Sequence, residues 1–217
     1  MKEILQQTRI FLILFVFYLI VPGFTLLATA KGEFEIWLNS FHTIYFDNFF
    51  YWTTYVGDGF FAVLVLMVII VFVNIRKGLL ITGILLTVSA VTQILKLFVF
   101  PRSERPLAYF KNTIELHFVP GLEIHSLNSF PSGHTTQAFC IFFLFSFFLK
   151  KKSYQYLFFV IALLAAISRV YLLQHFLMDI YVGAVIGTIG SLFCLQFINQ
   201  KNLLSNPTLN KPLINIR

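Results

Sequence analysis

Ser168-Arg169-Val170-Tyr171-Leu172-Leu173-Gln174-His175-Phe176-Leu177-Met178-Asp179 is the stretch on which the reading of this chain turns. Tyrosine and cysteine aside, Arg169, His175 and Asp179 are the only ionisable side chains between Lys152 and Lys201. Their surroundings are apolar, as in Phe158-Phe159-Val160-Ile161-Ala162-Leu163-Leu164. An arginine in such a run costs several kcal/mol unless something pairs with it, so ionisable groups at membrane depth read as functional first and structural second. His175 and Asp179 are four apart, so on a helix they share a face. A carboxylate there holds one imidazole nitrogen and leaves the other free to act as a nucleophile. Arg169 offers a planar fork of donors that suits a phosphate. The structural alternative is a buried ion pair stapling two helices.

The whole chain fits that setting. Of 217 residues, 58% are hydrophobic and 12% charged, against about a quarter charged in a soluble domain. Six apolar runs, at 10–30, 59–75, 79–100, 132–149, 154–174 and 177–198, are each near the length that crosses a bilayer as a helix. No alternating ten-residue strands occur, which excludes a barrel. The expected fold is all-α: a polytopic membrane protein of six transmembrane helices forming one domain over 1–198, followed by a mobile cytoplasmic tail at 199–217.

Ten of the sixteen basic residues, among them Arg76-Lys77 and Lys150-Lys151-Lys152, fall on the termini and two connections of one side, together with a single acid, Glu3. This side is therefore read as cytoplasmic, with both termini on it. Three connections face outward: 31–58, 101–131 and the turn after Gln174. The net charge of +7 thus sets topology and does not form a nucleic-acid face. Residues 1–30, ending in Ala28-Thr29-Ala30, have features of a signal peptide, but the long run interrupted by Pro22-Gly23 reads as a retained helix. Segment 31–58 places aromatic residues at spacings of three and four, which predicts a short interfacial helix between helices 1 and 2. Cys140 and Cys194 lie in apolar segments, and no Cys/His spacing supports a metal site.

Two further groups belong to the outward side. Pro131-Ser132-Gly133-His134 opens the fourth run. Proline suits the first turn of a helix, and the backbone N–H groups of Ser132 and Gly133 would face an anion at the positive end of the helix dipole. His134 sits there as a proton donor. Lys96 ends the third run, ahead of Arg105-Pro106, where snorkelling to the interface is its structural alternative. Three cations, two histidines, one carboxylate and a helix N-terminus suit phosphoryl transfer without a metal or cofactor.

Ser168-Arg169-x5-His175-x3-Asp179 and Pro131-Ser132-Gly133-His134 resemble the third and second signatures of the type 2 phosphatidate phosphatase superfamily, which includes bacterial membrane lipid phosphatases. The first signature, Lys-x6-Arg-Pro, is similar to Lys96-x8-Arg105-Pro106, with two residues more. The family spacing would put Phe98 at the lysine position. The resemblance spans 96–179. It implies that His175 attacks phosphorus and that Asp179 orients its ring. It also implies that His134 protonates the leaving oxygen, and that Lys96, Arg105, Arg169, Ser132 and Gly133 hold the phosphate oxygens. The expected activity is hydrolysis of a lipid phosphomonoester or diphosphate on the outer face of a bacterial cytoplasmic membrane. Candidate substrates are undecaprenyl diphosphate, phosphatidylglycerol phosphate, phosphatidate and a lipid A phosphate. Partners are the phospholipid or polyprenyl substrate and membrane lipids, with no nucleic acid. The alternatives are a phosphotransferase of the same family and a transporter using Arg169, His175 and Asp179 as a relay.

Overall fold

The computed structural model of the chain describes residues 1–111, 113–201 and 209–214, and every regular element among them is a helix. In order these are α1 (Lys2–Gln7), α2 (Arg9–Ala28), α3 (Glu33–Asn39), α4 (Ile44–Thr53) with a 3₁₀ turn at Thr54–Gly57, and α5 (Gly59–Val68) with a π turn at Ile69–Val73. They continue with α6 (Ile75–Ile94) with a π turn at Leu95–Val99, α7 (Pro106–Tyr109), α8 (Gly133–Leu149), α9 (Lys152–Tyr171) and α10 (Leu177–Lys201). Four of them, α2, α6 with its π turn, α9 and α10, are long and apolar enough to cross a membrane. The α4 and α5 arms form a further apolar pair bent by 58° at Asp58, and α8 is an apolar helix of 17 residues. The chain is an all-helical, multi-pass membrane protein.

α8 is the axis of the bundle. Its side chains from Thr135 to Leu144 are nearly all buried, against α9 on one side and α10 on the other. The α8–α10 crossing is close because α10 presents glycine to it. A Cβ on Gly183 would sit 2.7 Å from the Ser132 carbonyl oxygen, and one on Gly187 2.5 Å from that of Thr136. This is the small-residue approach that lets helix backbones touch in lipid. On the far side of α8, Thr92 of α6 donates to the Thr136 hydroxyl at 3.2 Å, which fixes the register of α6 one turn before Lys96. α2 packs more loosely, burying only Phe11, Phe15 and Tyr18. Gln155 of α9 ties it in by accepting from the Ile10 and Phe11 amides and donating to the Gln7 carbonyl across the α1–α2 break.

Several expectations are corrected. The interfacial helix expected in 31–58 is two helices, α3 and α4. Thr43 turns extended between them and caps α4 by accepting from the Phe46 amide, so the chain re-enters a helix in a new direction. The tail is not free where it is described. Leu213 and Ile214 donate their amides to the Ile70 and Val71 carbonyls, and Ile75 donates to Lys211. The wide π turn leaves these main-chain groups open to the tail. Residues 202–208 and 215–217 lie outside the described part.

Candidate active site

The turn 172–176 joins α9 to α10 and carries the first half of the site. Arg169 lies in the last turn of α9, and its carbonyl accepts from the amides of both Gln174 and His175. The chain therefore folds back tightly, with Leu173 in the left-handed region at φ 54°. His175 and Asp179 do not share a helix as the spacing implied, because His175 precedes α10 and Asp179 sits in its first turn. Their pairing comes from a cap. The Asp179 carboxylate reaches back to accept the Phe176 amide at 2.9 Å, and the same Oδ2 lies 3.2 Å from His175 Nδ1. Ser129 Oγ donates to that oxygen as well. With Nδ1 on the carboxylate, Nε2 of His175 is the free nitrogen. The ring is 1% exposed. Burial, then the nearby Arg105, Arg169 and Lys96, push its pKa well below the usual histidine range and keep it neutral.

His175 lines a cavity of about 370 Å³ together with Lys96, Arg105, Gly133, His134 and Arg169, with Thr54, Asp58 and Gln174 completing the wall. All three cations are buried. Arg105 is held by neutral acceptors: Nε donates to the Leu127 carbonyl and Nη1 to the carbonyl and side-chain oxygens of Gln174. Arg169 donates Nη1 to Thr54 Oγ1 at 2.7 Å, while its Nε is buried without a partner among the described residues. Among those residues no carboxylate lies within 4.0 Å of a nitrogen of Lys96, Arg105 or Arg169. Three buried positive charges with no carboxylate paired to them among the described residues suit a multiply charged anion.

His134 stands across the cavity in the first turn of α8. The helix begins at Gly133, with Ser132 as its N-cap accepting from Thr135. Pro131 thus precedes the cap and is not in the first helical turn. The amide expected from Ser132 is also unavailable, since it donates to the Asp179 carbonyl at 3.0 Å. That bond locks the two motif segments together, while Gly133, whose amide has no intrahelical acceptor, lines the cavity. Asp58 Oδ2 lies 3.5 Å from His134 Nε2.

The family model of the PAP2 superfamily matches residues 77–203. The chain belongs to the PAP2 superfamily. Among solved structures it is similar to the crystal structure of Aquifex aeolicus LpxE, with a TM-score of 0.66 and 26% identity, covering 76% of this chain and 94% of that one. It also shares the fold of the transmembrane PAP2 type phosphatidylglycerolphosphate phosphatase from Bacillus subtilis, with a TM-score of 0.62 and 23% identity, covering 94% of this chain and all of the other. The bacitracin transport permease protein BcrC of Bacillus licheniformis is 39% identical over 79 residues. That match spans 34% of this chain and 38% of the relative's length.

For a PAP2 superfamily chain the long Lys96–Arg105 spacing is the departure, and the fold accounts for it. The end of α6 widens into the π turn, in which the Phe100 amide bonds to the Leu95 carbonyl. A π turn takes one residue more per turn than an α turn, so it stores part of the extra chain. Lys96 then faces the cavity at 9% exposure, while Phe98, at the family spacing, points away at 78%. Sequence reasoning missed Thr54, Asp58, Gln174 and Ser129. Asp58 could have been flagged as an acid next to two glycines, Gly57 and Gly59. The other three are common polar residues with no spacing signal.

Proposed function

We propose that this chain is a membrane lipid phosphatase or diphosphatase that works through a phosphohistidine on His175. The observation that carries the reading is the set of three buried, carboxylate-free cations around a buried neutral imidazole whose Nδ1 is held by Asp179. Lys96, Arg105, Arg169 and the Gly133 amide bind the phosphate oxygens and stabilise the charge that grows on them in the transition state. His175 Nε2 attacks phosphorus as the bond to the leaving oxygen breaks, and His134 gives that oxygen a proton. Water then attacks the phosphohistidine, with His134 taking its proton. Asp179 keeps Nδ1 bonded and balances the positive ring. The charge needed in the site comes from side chains, so the reaction runs without a metal.

In this reading α2, α5 with its π turn, α6, α8, α9 and α10 are six spans of one domain over 1–198, with α4 at the outer interface. The basic residues of the two short connections and the termini put that side in the cytoplasm, and the cavity opens toward the outer leaflet of a bacterial cytoplasmic membrane. The grouping of the ionisable residues at one end of the bundle favours an enzyme over a transporter relay at the midplane. A lipid phosphate lies at that depth with its tails still in the bilayer. Undecaprenyl diphosphate is the first-choice substrate, ahead of a lipid A phosphate, phosphatidylglycerol phosphate and phosphatidate, since none of the described connections between the spans is large enough to form a domain that grips a sugar head group.

The test is phosphate release from a panel of these lipids by the purified protein, with radiolabelled phosphate to separate hydrolysis from transfer to a second lipid. Failure to release or transfer phosphate from any of them would overturn the reading. Orientation is tested after Cys140 and Cys194 are replaced by Ala. A cysteine at the exposed Ser126 should react in intact cells with an impermeant thiol reagent, and one at the exposed Ser153 should not. The reverse pattern would put the site in the cytoplasm.

A further inference from the structure

We infer that Asp58 is a positioning residue for His134, its carboxylate supplying the negative charge beside which the His134 imidazolium carries the proton for the leaving oxygen. The inference rests on the proton-donor role proposed above for His134.

The geometry singles out this carboxylate. Asp58 Oδ2 is 3.5 Å from His134 Nε2, within ion-pair range. The groups that face His134 from the other walls are Lys96 on α6, Arg105 in the following loop, Arg169 on α9 and His175 in the turn before α10. Three of these are basic side chains, and an imidazolium among them needs a counter-charge. Asp179 is committed behind His175 to the Phe176 amide and Ser129. Glu123, the other acid of the cavity wall, is exposed and lies 3.7 Å from His125. Asp58 is left.

The carboxylate is also held in place from two directions. Asp58 is the N-cap of α5, with Oδ1 accepting the Phe60 amide at 2.7 Å, so the second oxygen is the one presented to the histidine. The residue before it seats directly on α8, where a Cβ on Gly57 would fall 2.9 Å from the His134 carbonyl oxygen and 3.2 Å from its Cβ. Only glycine permits that approach. The 58° bend between the α4 and α5 arms occurs at this residue, so the break in the apolar pair brings a charge to the histidine. In the reaction the proton on His134 passes to the leaving oxygen as the P–O electron pair moves onto it and the His175–phosphorus bond forms. Asp58 exchanges no proton in either step. The neutral imidazole regains a proton from the water that later cleaves the phosphohistidine.

The experiment compares two leaving groups in the purified full chain. Asp58→Asn removes the charge but keeps the cap, since asparagine ranks with aspartate at that position. Asp58→Ser is a second cap-preserving variant. Both should lower kcat at least about tenfold on a short-chain alkyl phosphate, whose alkoxide needs a proton, with KM changed by less than about twofold. On p-nitrophenyl phosphate, whose leaving group needs none, the loss should stay below about threefold. In a His134→Asn background, Asp58→Asn should add no further loss on the alkyl phosphate, because a residue acting through another is silent once that other is gone. Equal losses on both leaving groups, or a fully additive loss in the double variant, would overturn the inference. If His134→Asn itself slowed both substrates equally, the proton-donor role would fall and this inference with it. A leaving-group effect in His134→Asn but none in the Asp58 variants would leave the proposed mechanism standing and remove Asp58 alone.

Discussion

Thr54→Val tests whether Arg169 works only when it is aimed. Among the described residues the Arg169 side chain has one hydrogen-bond partner, Thr54 Oγ1 at 2.7 Å, and both residues are buried. Valine keeps the shape and the β-branch, so no cavity opens, but Nη1 loses its acceptor. A hydrogen bond to a charged group is worth about 1.5–3 kcal/mol. At about 1.4 kcal/mol per tenfold in rate, a full loss in the transition state is roughly a 10- to 150-fold drop in kcat/KM. The measurement is phosphate release by detergent-solubilised protein, with inhibition by vanadate as a readout of transition-state affinity. Vanadate should weaken by a similar factor, since it occupies the same oxygens. Thr54→Ser keeps the hydroxyl and should recover activity to within about threefold of wild type. Wild-type kinetics in Thr54→Val, or a serine variant as impaired as valine, would refute the argument that the 3₁₀ turn orients the guanidinium.

Other outcomes follow from the same geometry. His175→Asn should lower turnover by more than about a thousandfold without unfolding the chain, since a nucleophile has no substitute; near-normal activity would remove the covalent step. Lys96→Ala should cost at least about tenfold in kcat/KM while Phe98→Ala stays within about twofold, and the opposite ranking would show that the family spacing, not the π turn, places the cation. Because burial holds the free His175 imidazole well below its usual range, falling pH should not protonate it near its ordinary value of about 6.5. kcat/KM should therefore lack an acid limb at that pH from this residue; a His175 imidazole NMR signal that titrates near its ordinary value of about 6.5 would contradict the neutral ring. Activity should survive EDTA and be blocked by vanadate, and a strict Mg²⁺ requirement would refute the charge balance drawn from Lys96, Arg105 and Arg169.

Much of this molecule is legible from sequence because lipid leaves the chain few choices. Apolar runs must become helices, and each of the six runs falls mostly on one helix, in two cases with a wide terminal turn, while 154–174 runs three residues past the end of α9 into the turn that carries His175. The residues brought to the cavity were legible because a charge in such runs needs a reason. The register of Lys96 was not, since spacing alone cannot show that a helix widens to a π turn in its last five residues. The Ser132 amide was misread for a related reason. A helix N-terminus offers its amides only to what lies in front of it, and here that is the Asp179 carbonyl, supplied from a distant part of the chain. Thr54 was invisible, and Asp58 was marked only by its two glycine neighbours, because what each faces depends on the bend between α4 and α5. Residue 58 ends the aromatic segment and 59 begins the next apolar run, but spacing does not show that the chain bends there toward the start of α8.

The glycine contacts between α8 and α10 bear on how the protein tolerates its solvent. His134 rides on α8, and Asp179 is on α10 with His175 just ahead of it. Where the two helices cross, main chain meets main chain at Gly183 and Gly187, with no long side chains between them to flex or change rotamer. Thinning or thickening of the bilayer tilts helices to match it, and here it must tilt this pair as one rigid body. The separation of the two histidines is then independent of the tilt, so the chemistry should be insensitive to acyl-chain length even where substrate access is not. Adding one methyl at Gly187 would end that independence.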